Sequence, residues 1–146
     1  MPHAIFHLAF PVKDLEETKT FYVEGLGCSL GRESHVAVTL ELGGNQIIAH
    51  LSKHPPDPPQ SIYPRHFGLV LESEMEWQIL ADRAKAKNLK FYREPSRRYQ
   101  GTRIEHRTFF LEDPSHNLLE FKYYTYPSAI FEEQDFASVG EDHEQE

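Results

Sequence analysis

Residues 7–17 read HLAFPVKDLEE, and residues 66–76 read HFGLVLESEME. Each stretch opens with a histidine, continues as an apolar run typical of a β-strand, and reaches a helix-start signal seven residues later. In both signals a short polar side chain, Asp14 or Ser73, is followed three residues on by an acid, which is the pattern of a capping box. The repeated pattern predicts a duplicated module whose two histidines point to one shared metal site.

The rest of the chain continues this repeat. Each predicted helix is followed by three short strand candidates, so both halves have the order β-α-β-β-β. We predict an α+β fold of two tandem βαβββ modules, which form cupped mixed sheets around a metal-binding cavity. The first module spans residues 4–52 and the second spans 63–126, with a stiff proline-rich linker at 53–62. Residues 127–146 are rich in acids and are expected to form a flexible, solvated tail.

Composition limits the classes of partner. The chain has 146 residues, a net charge of −8 and one cysteine, which rules out an intrachain disulfide and fits a reducing compartment. Its acidic balance argues against a nucleic-acid partner, because phosphate binding requires a basic face. No apolar run approaches the roughly 20 residues needed to cross a bilayer, and the N-terminus lacks a secretory layout. We therefore expect a cytoplasmic protein without a membrane partner.

An acid in the last predicted strand supplies the third candidate metal ligand. Glu120 lies within an apolar run, where a bare carboxylate is costly to bury without a partner. Together with His7 and His66 it would form a set of two histidines and one carboxylate, which leaves half of an octahedral metal open to other ligands. Taken singly, each residue has a plainer interpretation, such as an ion pair between Glu120 and an arginine.

Three further residues are candidates for catalysis. His50 closes the last strand of the first module, in the place that we match to Glu120, and could be a metal ligand or an acid-base group. His106 is a candidate base on the penultimate strand of the second module, and the phenol of Tyr99 could hold a substrate oxygen. For each of them, packing or surface exposure is the alternative. The arginines between residues 93 and 107 could clamp an anion or simply pair with nearby acids.

These motifs resemble the vicinal oxygen chelate superfamily. This group contains glyoxalase I, extradiol ring-cleaving dioxygenases, fosfomycin-resistance thiol transferases and bleomycin-binding proteins. The residues that carry the resemblance extend from Ala4 to Tyr124, and the most specific are 7–22, 65–68 and 109–121. The resemblance implies two βαβββ modules that surround a metal with open coordination positions. By position, it assigns the metal ligands to His7, His66 and Glu120.

The resemblance also implies a function. The three ligands are similar to those of the extradiol dioxygenases, so we expect a dioxygenase-like oxidoreductase that takes one iron(II) per site, with manganese, nickel, cobalt and zinc as alternatives. Its substrate would be a small molecule that chelates the metal through two neighbouring oxygens. A glyoxalase-type isomerase or a thiol transferase is the alternative enzyme, and a non-catalytic drug-binding protein is the alternative class. A homodimer is expected, with modules paired within one chain or exchanged between two.

Overall fold

The first module is a four-stranded mixed sheet with one helix. The structure is a computed structural model that describes residues 1–140. The strands are β1 His7–Val12, β2 Ser29–Glu33, β3 Ala37–Leu42 and β4 Asn45–Leu51. They lie in the order β1-β4-β3-β2, with β1 parallel to β4. Helix α1, Leu15–Lys19, follows β1 and continues as a π-helical segment, Thr20–Gly25.

The second module repeats this order. Its elements are β5 Phe67–Val70, α2 Glu74–Ala86, β6 Phe91–Arg98, β7 His106–Glu112 and β8 Leu118–Tyr124. The sheet has the order β5-β8-β7-β6, and β5 is parallel to β8. The predicted α+β fold of two βαβββ modules is therefore confirmed.

Both helices begin at the residues that the capping boxes predict. The carboxylate of Asp14 accepts a hydrogen bond from the backbone N–H of Glu17 at 2.7 Å. The hydroxyl of Ser73 accepts one from the N–H of Glu76 at 3.1 Å. Each cap satisfies a backbone donor that has no partner within its own helix, which fixes where the chain turns from strand into helix. Of the helices in residues 1–140, none is both long and apolar enough to cross a membrane.

The two modules share one hydrophobic core. Each sheet turns one face toward this core, where it packs with the helices. Members from both modules are Phe10, Val12, Tyr22, Ile47, Ala49, Trp77, Ala81, Phe109, Leu119 and Phe121. Because side chains alternate along a strand, the residues between these members lie on the opposite face of each sheet. We call these faces the first outer face, on β1 to β4, and the second outer face, on β5 to β8.

Buried hydrogen bonds join the modules at the edge of this core. The hydroxyl of Tyr22 donates to the carboxylate of Asp113 at 2.8 Å, and burial, reinforced by that carboxylate, raises the pKa of Tyr22 well above its ordinary value. The side-chain amide of Asn117 donates to the carbonyl of Pro11 at 2.9 Å. The turn between β7 and β8 is therefore also a tie to the first module.

The last residue of β7, directly before this turn, is a buried acid. Glu112 receives hydrogen-bonded contacts from Nδ1 of His116 at 2.6 Å and from Nζ of Lys90 at 3.1 Å. Burial of the Glu112 carboxyl opposes its ionisation, but these two partners outweigh that effect and lower its pKa. Glu112 therefore contributes an ionised, paired carboxylate to the folded state.

The segments outside the modules are ordered by contacts with the second sheet. Ile62, at the end of the predicted linker, is fully buried in a small second core with Phe110 and Leu118. In the predicted tail, Ser128–Phe131 form a short helix, α3, and the chain from there to residue 140 runs beside the second outer face. The last part of the predicted tail, residues 141–146, lies outside the described residues.

Candidate functional site

Two of the three predicted metal ligands meet on the second outer face. His66 lies directly before β5, and Glu120 lies in the middle of β8, where it pairs with Gly68 across the parallel strands. The ring atom Nε2 of His66 is 3.1 Å from Oε1 of Glu120. Gly68 makes this approach possible, because a Cβ at that position would lie 1.7 Å from the backbone carbonyl oxygen of Glu120.

Neighbouring groups fix the orientation of both side chains. Nδ1 of His66 donates to the carbonyl of Ile62 at 2.7 Å, and since a carbonyl can only accept, this bond leaves Nε2 as the atom that faces Glu120. On the other side of the pair, the hydroxyl of Thr108 donates to Oε2 of Glu120 at 2.7 Å. Nζ of Lys122 lies 3.8 Å from Oε1 of the same carboxylate.

The electrostatics keep Glu120 ionised. Burial of this carboxyl opposes ionisation, but the hydrogen bond with His66, the charge of Lys122 and the bond from Thr108 together lower its pKa to about 2. For His66, burial disfavours the charged ring, but the bonds to Glu120 and to the Ile62 carbonyl outweigh it and raise its pKa. The pair is thus a carboxylate beside a ring nitrogen that a cation could share in place of a proton.

The separation of these two atoms suits a metal ion. Donor atoms in adjacent positions around an octahedral ion, with bonds of about 2.1 Å, lie about 3 Å apart. The 3.1 Å between Nε2 of His66 and Oε1 of Glu120 matches this separation. Imidazole and carboxylate are the donors that iron, manganese, nickel, cobalt and zinc accept. These two residues therefore fit as neighbouring ligands of one divalent ion.

The pair opens into a cavity of about 470 Å³ that also contains two of the predicted catalytic residues. His106 and Tyr99 line this cavity, with their ring centroids 5.9 Å apart. Burial lowers the pKa of His106, although Nδ1 of this ring lies 3.0 Å from the carbonyl of Ile104. The lowered pKa leaves the His106 ring neutral and able to accept a proton at neutral pH.

The structure places His7 and His50 elsewhere. His7 lies on the first outer face, where its Nδ1 is 2.7 Å from Oε1 of Gln46. His50 lies at the far end of that face, opposite Pro11, and is exposed. A single chain therefore does not bring either histidine to the His66–Glu120 pair. Across residues 1–140, no three side chains of the histidine, cysteine, aspartate and glutamate types gather closely enough to hold a metal.

The strand registers also correct the match between the modules. In the second module, Gly68 pairs with Glu120 two residues after His66. In the first module, Ala9 occupies the corresponding place two residues after His7, and it pairs with Ile48. The position equivalent to Glu120 is therefore occupied by Ile48 and not, as predicted, by His50. The first module therefore has no carboxylate at the position equivalent to Glu120, and His7 is its one counterpart to the His66–Glu120 pair.

The structure separates four of the five arginines between residues 93 and 107 into two groups. Three arginines form ion pairs near the surface, namely Arg97 with Glu105, Arg103 with Glu133 and Arg107 with Glu74. Arg98 is instead buried and lines the cavity, where it donates to the hydroxyl of Tyr63 at 3.0 Å. For these three arginines the ion-pair interpretation is correct.

Several residues of the site do not appear among the sequence-based candidates. Lys122 and Thr108 flank Glu120 on the second outer face and face each other across β7 and β8. The alternation of side chains along β8 was a usable signal for Lys122, because it lies two residues after Glu120. Tyr63 and the segment that follows β8 had no such signal, since their positions depend on contacts between segments far apart in sequence.

Comparison with known proteins identifies the family. Residues 4–121 match the model of the Glyoxalase/Bleomycin resistance protein/Dioxygenase superfamily. The chain belongs to this superfamily. A crystal structure of a glyoxalase/bleomycin resistance protein/dioxygenase from Alicyclobacillus acidocaldarius is 44% identical, with a TM-score of 0.84, and the alignment covers 90% of this chain and 98% of that one. None of the curated proteins compared with the chain matches it.

More distant members of the glyoxalase/bleomycin resistance/dioxygenase superfamily share the fold. The fosfomycin resistance protein FosX from Listeria monocytogenes is 20% identical, with a TM-score of 0.68 and coverage of 89% of this chain and 100% of that one. FosX from Mesorhizobium loti is 16% identical, with a TM-score of 0.63 and coverage of 86% and 95%. Proteins of this superfamily are often enzymes, typically bind a divalent metal and often form dimers.

Proposed function

We propose that this protein is a metal-dependent, dioxygenase-like enzyme that acts on a small molecule chelating the metal through two neighbouring oxygens. The observation that carries the proposal is the His66–Glu120 pair, whose 3.1 Å separation suits two ligands of one ion. Family membership supports it, because divalent metals are typical of the superfamily. We include a cytoplasmic location in the proposal, since a reducing compartment suits both the single cysteine and ferrous iron.

The third ligand would come from His7 of a second copy. Within one chain His7 and the His66–Glu120 pair lie on the two outer faces, which the shared core separates. The first outer face is bordered by exposed apolar side chains, including Phe6 at 62% and Val36 at 58% exposure. If the first outer face of one copy covers the second outer face of another, exposed apolar surface is buried. In a symmetric dimer this contact occurs twice, so each His66–Glu120 pair is enclosed between the two copies. The proposed active form is therefore a homodimer.

Two histidines and one carboxylate form the set that suits iron(II), which we propose as the metal, with manganese, nickel, cobalt and zinc as possible replacements. The metal would supply Lewis acidity, which makes a coordinated substrate hydroxyl easier to deprotonate. His106 would accept that proton, because its ring is neutral and lines the same cavity. Tyr99 would donate a hydrogen bond to a substrate oxygen. His50 could act only at the site of the partner.

Metal content tests the core of this proposal. The wild-type protein, loaded under anaerobic conditions, should bind about one iron(II) per chain, and His66→Ala and His7→Ala should each lose this binding. His54→Ala, which changes an exposed linker histidine, is the matched control and should bind like wild type. A wild-type protein that binds no metal, or a His66→Ala variant with unchanged binding, would favour the drug-binding alternative.

Mixing the two inactive variants tests the dimer. If each site combines His7 of one copy with His66 of the other, random exchange restores one complete site in about half of the dimers, or about a quarter of all sites. If the site lies within one chain, mixing restores none.

Oxygen uptake with a panel of catechols tests the reaction. Uptake by the metal-loaded protein supports a dioxygenase, whereas turnover of a hemithioacetal without oxygen would identify an isomerase instead.

A further inference from the structure

The cavity beside His66 and Glu120 has two chemically different walls. The sheet supplies the polar wall, which includes Lys122 and His106 in addition to the pair itself. The opposite wall comes from the segment after β8, residues 127–140, together with the loop before β7. The apolar side chains of this second wall are Ile104, Ala129, Ile130, Phe131, Phe136 and Val139.

One arginine anchors the start of this segment. Nε of Arg103 lies 3.2 Å from Oε2 of Glu133, and its guanidinium also donates to the hydroxyl of Ser128 at 3.3 Å. The same guanidinium stacks on the ring of Tyr126, with Cζ 4.3 Å from the ring centroid. Arg103 thus ties the loop between β6 and β7 to both ends of α3. A segment held in this way can present a fixed surface to the cavity.

The far end of the segment packs against another cavity residue. Gly140 has a positive φ of 66°, and a Cβ there would lie 2.6 Å from the hydroxyl oxygen of Tyr63. Tyr63 in turn receives the hydrogen bond from Arg98. The segment therefore crosses the cavity from Arg103 on one side to Tyr63 on the other.

The anchor also determines the polarity of this wall. Glu133 lines the cavity, but its carboxylate is bound by Arg103 and by Ser128. These contacts lower the pKa of Glu133, with the bond from Ser128 as the main cause. Its charge is therefore balanced by a guanidinium, and Ile130 and Phe136 offer apolar surface to a ligand beside the polar side chains of Glu132, Gln134 and Ser138.

We propose that the apolar side chains of residues 127–140, chiefly Ile130 and Phe136, form a specificity wall, so that the substrate carries an apolar group next to its two chelating oxygens. This inference rests on the proposed function, because the oxygens are placed by the metal at His66 and Glu120. The wall contributes binding energy in proportion to the apolar area that it covers. Small, fully polar chelators are therefore poor ligands, and chelators with an aromatic or alkyl body are good ones.

Hydroxamic acids test the wall directly, because they bind metals through two neighbouring oxygens and can carry substituents of different size and polarity. The probes are acetohydroxamate and benzohydroxamate, titrated into the full-length protein loaded with cobalt(II) and followed by the visible cobalt absorption. The phenyl group adds roughly 50 Å² of apolar surface, so benzohydroxamate should bind about tenfold more tightly. In the double variant Ile130→Ser/Phe136→Ser this preference should fall to about twofold, with acetohydroxamate affinity unchanged.

Controls separate the wall from the metal site. Arg103→Ala should reduce the preference as the double variant does, because it releases the segment. Ile79→Ser removes an apolar side chain that is 60% exposed on α2, away from the cavity, and should keep the full preference. A double variant that binds both probes like wild type would overturn the proposal that this wall determines specificity, while leaving the proposed function intact. A wild-type protein that binds neither cobalt(II) nor acetohydroxamate would overturn both.

Discussion

Replacing Thr108 by valine removes one hydroxyl from beneath Glu120 and leaves the shape of the side chain almost unchanged. In the structure this hydroxyl donates to Oε2 of Glu120 at 2.7 Å, and both side chains are buried. A hydrogen bond to a charged group contributes about 1.5–3 kcal/mol, and water has little access to replace it here. Because Glu120 keeps His66 and Lys122, we expect a loss of about 2 kcal/mol in the free energy of unfolding of the metal-free protein.

The same variant should weaken metal binding. Groups that orient a metal ligand typically contribute a factor of about 10–100 to metal affinity. Thr108→Val should therefore raise the dissociation constant for manganese(II) or cobalt(II) by about that factor, as measured by titration calorimetry. Thr108→Ser restores the hydroxyl and should recover most of the affinity.

Thr39→Val is the matched control for this experiment. Thr39 lies in β3, opposite Ile48, so the same chemical change is made on the first outer face, away from Glu120. It should change the free energy of unfolding by less than about 0.5 kcal/mol and leave metal binding unaffected. If Thr108→Val keeps metal affinity within threefold of wild type, the hydroxyl does not orient Glu120 for metal binding and the reasoning from this hydrogen bond is refuted.

Three further predictions concern stability, each measured by urea unfolding. Tyr22→Phe removes the buried bond to Asp113 and should lower the free energy of unfolding by about 2 kcal/mol. Gly68→Ala places a methyl group against the carbonyl of Glu120 and should cost more than about 3 kcal/mol and abolish metal binding. Glu112→Gln should cost about 1 kcal/mol at neutral pH. Because the folded pKa of Glu112 is below its ordinary value of 4.5, this difference should persist above that pH and disappear as the pH falls below it.

Matched variants distinguish these effects from general ones. Tyr126→Phe removes a hydroxyl from an exposed tyrosine and should leave the free energy of unfolding within about 0.5 kcal/mol of wild type. Gly101→Ala changes a glycine with open space around it, so only its positive φ carries a cost, of about 1 kcal/mol. Glu94→Gln, on the exposed side of β6, should change the free energy of unfolding by less than about 0.5 kcal/mol. A Gly68→Ala variant no less stable than Gly101→Ala would contradict the close approach of β5 and β8.

Local signals in the sequence were sufficient to predict the two βαβββ modules. The capping residues Asp14 and Ser73 occupy the helix starts that they predict, because a cap acts on the backbone of its own first turn. The pair of His66 and Glu120 could also be anticipated, since a carboxylate in an apolar strand requires a partner. Both inferences depend on neighbours that are close in sequence or on alternation along one strand.

The rest of the site depends on long-range packing. The position of His7 relative to Glu120 follows from how the modules dock, and that docking is set by contacts such as the one between Tyr22 and Asp113. No sequence pattern within either module indicates this contact. Composition likewise predicted a solvated acidic tail after residue 126, but the cation that holds it, Arg103, lies in a loop about 30 residues earlier.

The common interior of the two modules has a consequence for regulation. Because this interior is built from one chain, the two copies of the proposed dimer could separate without unfolding. Each copy would then retain His66 and Glu120 but lose the His7 imidazole that the proposal assigns to its partner. Metal occupancy would thus respond to protein concentration by mass action. If the proposed dimer is the metal-binding form, dilution would release the ion while each chain stays folded, and the abundance of the protein in the cell would set the fraction of complete sites.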